Sequence, residues 1–291
     1  MDEIEPGGTQ SIGRAIRLLL AVSRASSQGA RLSDLVANAD LPKATVRRLL
    51  LALVRANLLE QDEARRYHIG PEIYILGTLA SKRFDIHALA QNSLARLASI
   101  TGDTAFLSVP RGTYAVCIHR EEGGFPIRTH VLQAGDRHPL GLGAGSLAML
   151  AAMPDPEIEK IVDANKAVIS EKYPNYSPAI LRGLVSETRE NGYSVNPGMI
   201  MKGSWGIGAP IRGRNAEVVG ALSIAAVEMR LGVERQKELA LLLLEETARL
   251  ELLLKDIKTR SELPVDISSN QKITPKRAKR KHQSSLSPSS V

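Results

Sequence analysis

Apolar residues near the start of the chain recur with the spacing of a helix. Ile12, Ile16, Leu19 and Val22 form one stripe, with Ser11 placed to cap its N-terminus. The Ser26-Ser27-Gln28-Gly29 stretch breaks this pattern, and Leu32 to Ala37 predicts a short second helix. Asp40-Leu41-Pro42 opens a third, since proline is tolerated in a first helical turn. Its Val46, Leu49, Leu50, Leu53 and Val54 fall at i, i+3, i+4, i+7 and i+8, one continuous apolar face. The opposite face carries Ala44, Arg48 and Arg55, flanked by Thr45 and Arg47. Two short strands follow, Leu58 to Gln61 and Tyr67 to Ile69, joined by Asp62-Glu63-Ala64-Arg65-Arg66. Two helices joined by a short turn, then a hairpin with a basic tip, make the pattern of a winged helix-turn-helix.

From Pro71 the helical period returns through Ile73, Leu76 and Leu79, and again through Leu89, Leu94, Leu97 and Ile100. This predicts a linker of two helices broken near Phe84-Asp85. Ala105 to Val109 and Tyr114 to Ile118 then predict strands around a Pro110-Arg111-Gly112 turn. Helices are expected at about 144–152, 155–163 and 178–191, and strands at Gly206 to Ile211 and Val218 to Ala226. A last helix runs from Val233 to about Lys258. Strands grouped at both ends with helices between them predict an α+β domain with a largely antiparallel sheet. The expected division is residues 8–70 for the winged helix-turn-helix, 71–101 for the linker helix region and 102–258 for the α+β domain. Residues 264–291 are Ser-, Lys- and Pro-rich and lack apolar period, which predicts a disordered basic tail.

Charge sharpens this division. The net charge is +7, and it is unevenly placed. Residues 8–70 hold ten Lys/Arg against five Asp/Glu, residues 71–263 hold 22 of each sign, and residues 264–291 hold six bases against Asp266. A neutral body flanked by two basic segments is the electrostatic footprint of a polyanion binder. Aromatic residues make up only 3% of the chain, which argues against base-stacking modules for single strands; the placement of Arg47, Arg48, Arg65 and Arg66 points to duplex DNA. The basic tail has two readings, an arm that adds phosphate contacts or a solubilising terminus.

Other chemistries find little support. One cysteine, Cys117, excludes an intramolecular disulfide framework and any multi-cysteine zinc site. His119, His130 and His138 lack metal-ligand spacing, so no metal and no cofactor are expected. Gly141-Leu142-Gly143-Ala144-Gly145 has the look of a dinucleotide loop but no βαβ unit around it. No Ser or Cys nucleophile has a recognisable base. The acidic start has no apolar core, and the longest uncharged stretch, His138 to Pro154, is broken by prolines and glycines. No export signal and no membrane span are therefore expected, and the compartment expected is the cytoplasm.

Several runs together resemble one family. They are Arg14-Ala15-Ile16-Arg17-Leu18-Leu19, Leu32-Ser33-Asp34-Leu35, Leu41 to Leu50, and Tyr67-His68-Ile69-Gly70-Pro71. Asn191 to Val195, Ile207-Gly208-Ala209-Pro210-Ile211 and Val219-Gly220-Ala221-Leu222-Ser223 continue the match over roughly residues 9–257. This ordered set resembles the IclR family of bacterial transcription regulators. The resemblance implies an N-terminal winged helix-turn-helix, a linker helix and a C-terminal GAF-like ligand-binding domain. It also implies a homodimer or homotetramer on double-stranded operator DNA, answering to a small-molecule effector.

Carried over by position, the resemblance places DNA contacts on Thr45 and Arg48, with Lys43, Ala44 and Arg47 beside them. Arg65 and Arg66 at the hairpin tip are the expected phosphate contacts. The effector falls to Gly143 and Ala144, at a helix start whose amides suit a carboxylate, and to Asn196, Gly206, Ser223 and Ala225. Asn196 stands where the family often has Asp, Gly206 where it often has Cys, and Ala225 replaces a second polar position. Gly141, Gly143, Gly206 and Ala225 together predict a roomier, less polar cavity, lined also by Leu132, Leu140, Met149 and Trp205, for a larger or aromatic acid. The expected function is an effector-modulated, sequence-specific DNA-binding regulator without catalytic activity. The alternatives are a metabolic enzyme of small organic acids with an N-terminal interaction module, and an architectural DNA binder without a ligand.

Overall fold

The computed structural model describes residues 10–25, 28–81, 86–127 and 132–261. The Ser26-Ser27 step, the expected linker break at Phe84-Asp85, His130 and the basic tail at 264–291 lie outside them. The chain begins with α1 (Gln10–Ser23), α2 (Leu32–Ala37) and α3 (Lys43–Arg55), followed by the antiparallel pair β1 (Leu59–Gln61) and β2 (Tyr67–Ile69). Leu18, Val22, Leu35, Val46, Leu50, Leu53, Leu59 and Tyr67 form their common core. The apolar stripe of α3 is thus what fixes the helix against α1 and β1, leaving its other side to solvent. Two end positions differ from expectation. The chain is already helical at Gln10, so Ser11 is not the cap, and Pro42 precedes α3 as its N-cap, its carbonyl accepting from Thr45 and Val46 N–H.

Next come α4 (Pro71–Ser81) and α5 (Ile86–Thr101). The remaining strands are β3 (Thr104–Arg111), β4 (Tyr114–Glu121), β5 (Arg137–Pro139), β6 (Ser194–Met201), β7 (Ser204–Arg212) and β8 (Val218–Val227). They form one antiparallel sheet in the order β5-β4-β3-β8-β7-β6. The connecting helices are α6 (Ala144–Ala151), α7 (Asp155–Lys172) and α8 (Pro178–Asn191), and α9 (Val233–Ser261) closes the described chain. This is the α+β architecture with an antiparallel sheet that the element pattern predicts.

The sheet separates two cores. On one face α5 and α9 bury Leu94, Leu97, Leu239, Leu243 and Leu250 against Leu107, Ile207, Ile211, Leu222 and Ile224. On the other, α6, α7 and α8 bury Leu147, Leu150, Ile158, Ile161, Ile169 and Leu181 with Ala115 and Ala221. Central strands covered on both faces show near-continuous apolar runs rather than alternation, and β3 is buried from Thr104 to Val109.

Two strands and half of one helix were not evident from the pattern. Pro197 and Gly198 disguise β6, and Pro197 is tolerated because β6 is an edge of the sheet. The other edge, β5, is only three residues long. Helix α7 runs to Lys172 rather than 163 because Asn165, which interrupts the apolar period, is buried and donates from Nδ2 to the Thr113 carbonyl at 2.7 Å.

Candidate functional site

The α3 apolar stripe turns Lys43, Ala44, Arg47 and Arg48 to solvent, with Thr45 half-buried beside them. The Lys43, Arg47 and Arg48 side chains make no hydrogen bond or ion pair among the described residues. They are therefore available to an outside anion. The β1–β2 hairpin holds the basic tip. Arg65 sits in a left-handed conformation at φ 59 and projects an exposed guanidinium. Arg66 differs: it is half-buried, and its Nη1 donates to the Gln28 carbonyl at 3.2 Å and to Gln28 Oε1 at 3.3 Å. Arg66 thus ties the hairpin to the turn before α2. Asp62 organises the same tip, accepting the Arg66 N–H at 2.7 Å and pairing with His68 Nε2 at 2.9 Å. The bond to His68 is the main cause that holds its carboxyl below the usual range.

All six residues expected at the effector line a single cavity of about 50 Å³: Gly143, Ala144, Asn196, Gly206, Ser223 and Ala225. Strand register explains their meeting. Asn196, Gly206 and Ala225 are cross-strand partners on β6, β7 and β8, and Ser223 lies opposite Phe106 and Gly208 on the same face. Gly143, at φ 76, turns the chain into α6 and offers no side-chain cap. The first-turn amides of Ala144, Gly145 and Ser146 consequently have no partner within the helix. Gly143 N–H donates to Tyr176 OH at 3.4 Å, and the same oxygen accepts from Asn196 Nδ2 at 2.7 Å. Asn196 Oδ1 accepts Met199 N–H at 3.0 Å, so this side chain is occupied in shaping the wall. Burial pushes the Tyr176 phenol up to about 12, and it stays protonated.

The cavity is not the roomy one expected. A cavity that accepts a benzene ring measures about 150 Å³, three times this volume. The glycines do not open space; they let α6 sit directly on the sheet. A Cβ at Gly208 would lie 2.8 Å from the Ala144 carbonyl carbon, and one at Gly206 would lie 3.2 Å from Ala144 Cβ. A Cβ at Gly145 would lie 2.9 Å from Ser223 Oγ. Ser194 Oγ completes the seating by donating to the Ala144 carbonyl at 2.6 Å. Of the further lining expected, Leu132 and Trp205 border the cavity, whereas Leu140 and Met149 are fully buried in the core around α6.

Sequence reasoning missed Phe106, Ser108, His138, Ile200 and Ser204, which also line the cavity. Phe106 and Ser108 alternate on β3, so strand period gives their shared face once Ser223 is placed. His138 had no such signal, since it sits on the short edge strand β5 opposite Ala115. Burial pushes its imidazole down to about 4, with the Leu142 carbonyl and the Asp136 charge opposing.

Other singled-out residues have structural places. Cys117 is fully buried, and burial pushes its thiol up to about 12, leaving it unreactive. Asn175 donates to the Met199 carbonyl, and Ser177 caps α8 by accepting Ile180 N–H at 3.2 Å. Among the described residues no group of three or more His, Cys, Asp or Glu is placed to hold a metal ion, and no helix is long and apolar enough to cross a membrane.

A helix-turn-helix with an unpaired basic face, joined to an α+β domain with a cavity under a helix N-terminus, defines a class: DNA-binding regulators with a ligand-sensing domain. The sequence model for the bacterial transcriptional regulator IclR C-terminal domain matches residues 78–250, and that for the IclR helix-turn-helix domain matches residues 11–63. The chain belongs to the IclR family of transcription regulators. It is 27% identical over 204 residues to the HTH-type transcriptional regulator KipR of Bacillus subtilis, covering 70% of this chain and 81% of that one. It is 28% identical over 232 residues to the HTH-type transcriptional repressor AllR of Escherichia coli, covering 78% and 84%. The fold is shared with an IclR transcriptional regulator from Alicyclobacillus acidocaldarius, at a TM-score of 0.73 and 24% identity over 84% of this chain and 99% of that one. An IclR homolog from Microbacterium hydrocarbonoxydans, solved in complex with 4-hydroxybenzoate, superposes at 0.71 with 21% identity over the same shares.

Proposed function

We propose that α3 enters the major groove of an operator and that an organic acid in the cavity under α6 controls this binding. The observation that carries the first half is the unpaired cluster of Lys43, Arg47 and Arg48 on the exposed side of α3. Arg48 and Thr45 meet base edges, Lys43, Arg47 and the Ala44 backbone lie along them, and Arg65 meets phosphate. Arg66 serves the hairpin first, through Gln28. Ala44 brings no hydroxyl to the groove.

The effector's carboxylate lies on the first-turn amides of α6, where partial positive charge and unpaired N–H groups coincide. Ser223 contributes a hydroxyl, and Gly143, Asn196, Gly206 and Ala225 form the walls. A space of about 50 Å³ suits a short acid. An aromatic acid, such as the 4-hydroxybenzoate held by the Microbacterium relative, requires the cavity wall to open further. The protein acts by binding rather than catalysis, in the cytoplasm, as a homodimer or dimer of dimers. Exposed Ile12, Ile16 and Leu20 on α1 and Tyr74, Ile75, Leu76 and Leu79 on α4 support self-association. Effector binding then shifts the population between arrangements of two recognition helices, whose spacing must match the operator half-sites.

The test is an operator selected from a random duplex pool, with affinity read by fluorescence anisotropy. Arg48→Ala is expected to remove specific binding while thermal unfolding and acid binding stay unchanged. Retained operator affinity in Arg48→Ala overturns the α3 assignment.

A further inference from the structure

Among the described residues His138 is the one imidazole in the cavity wall, and its surroundings single it out. It is 8% exposed, and its Nδ1 is buried without a hydrogen-bond partner. Its other nitrogen, Nε2, lies 3.9 Å from the position that a Cβ on Gly143 would occupy, beside the N-cap of α6. The ring, carried by β5, therefore lies close to the start of α6, and Ala144, Gly145 and Ser146 line the same cavity. A buried polar atom without a partner is unfavourable and is normally satisfied by protein or by a bound group. The hydroxyls of Ser108, Ser204 and Ser223 line the same cavity and likewise make no hydrogen bond among the described residues. With Asn196 committed to Tyr176 and Met199, the wall presents no carboxylate to repel an anion.

We infer that His138 completes the anion site, donating a ring N–H to the effector's carboxylate while the α6 amides hold it. This rests on the organic-acid reading and adds the residue that sets its affinity. The imidazole is neutral in the empty site, so it reaches the anion as a hydrogen-bond donor. Ser108 and Ser223 border the remaining space and suit a hydroxyl or carbonyl oxygen on the same acid.

The experiment titrates acetate, lactate, benzoate and 4-hydroxybenzoate into the full-length protein, following the single tryptophan, Trp205, at the cavity edge. His138→Phe removes the donor, and the best-bound acid is expected to weaken about tenfold or more. His138→Gln retains an N–H and is expected to stay within about threefold of the wild type. In parallel, wild-type protein labelled with 15N-histidine reports the ring nitrogens directly. A shift of the His138 signals at saturating acid supports the inference even where a variant fails to fold. Equal affinity in His138→Phe, or ring signals that ignore the acid, overturns the role of His138 and leaves the acid reading standing. No saturable binding of any of the four acids overturns that reading and this inference with it.

Discussion

Replacing Gly208 by alanine would place a methyl carbon 2.8 Å from the Ala144 carbonyl carbon and 2.9 Å from both the Ala144 oxygen and Gly145 N. Non-bonded carbons prefer about 3.5–4.0 Å, so α6 has to retreat by at least about half an ångström. All three atoms are backbone, and no side-chain rotation relieves the contact. The retreat also stretches the 2.6 Å bond from Ser194 Oγ to the Ala144 carbonyl, which is buried. Overpacking of this kind destabilises by about 1–3 kcal/mol, which for a domain of this size lowers Tm by roughly 2–12 °C. The larger effect falls on the ligand, because the displaced amides are those assigned to the carboxylate. Hydrogen bonds to a charged group contribute roughly 1.5–3 kcal/mol each, so losing the alignment of one is expected to weaken acid binding at least about tenfold. Differential scanning calorimetry and Trp205 titrations measure the two effects, and operator affinity without acid is expected to hold. A Gly208→Ala protein that unfolds and binds acid like the wild type refutes the seating of α6 through glycine.

Gly183 on α8 has nothing within 4 Å of its missing Cβ, so Gly183→Ala is expected to raise stability by about 0.5–1 kcal/mol in chemical denaturation; a loss would contradict its open placement. Leu50→Ala in the helix-turn-helix core is expected to cost about 2–5 kcal/mol and to abolish operator binding with little change in acid binding. Acid should unfold the effector domain partly through His138. Its folded pKa of about 4 lies below the unfolded 6.5, so the unfolded chain binds the extra proton between these values. Stability is then complete above pH 6.5 and falls toward pH 4, by roughly 3 kcal/mol in total. His138→Gln should flatten that part of the pH profile, and an unchanged slope would contradict the buried neutral imidazole. Cys117, buried with its thiol pushed up to about 12, should resist Ellman's reagent until the protein unfolds.

The helix-turn-helix was legible because its signals are local. The α3 stripe states which side faces inward, and the arginines on the other side follow from helical geometry alone. The sheet was legible only at its centre. Helices on both faces keep β3, β7 and β8 apolar, whereas the edges β5 and β6 are short or carry Pro197 and Gly198. The cavity was half legible. The resemblance named the residues on β6, β7, β8 and α6, but His138 and Ser108 reach it through cross-strand pairing that leaves no local pattern. The size of the cavity was misjudged for an instructive reason. Gly206 suggests empty space in a sequence, yet here it lies against Ala144 Cβ, and its neighbour Gly208 lies against the α6 backbone. Arg66 shows the same limit at the hairpin, where a basic residue at a turn is committed to Gln28.

The account's central claim is that the α3 face and the cavity under α6 are coupled. Its most direct test is operator affinity measured by anisotropy with and without a saturating acid, together with acid affinity measured with and without operator. Coupling predicts that both affinities change by the same factor, about fivefold or more, because the linkage is reciprocal. An operator affinity indifferent to an acid that demonstrably fills the cavity would contradict it.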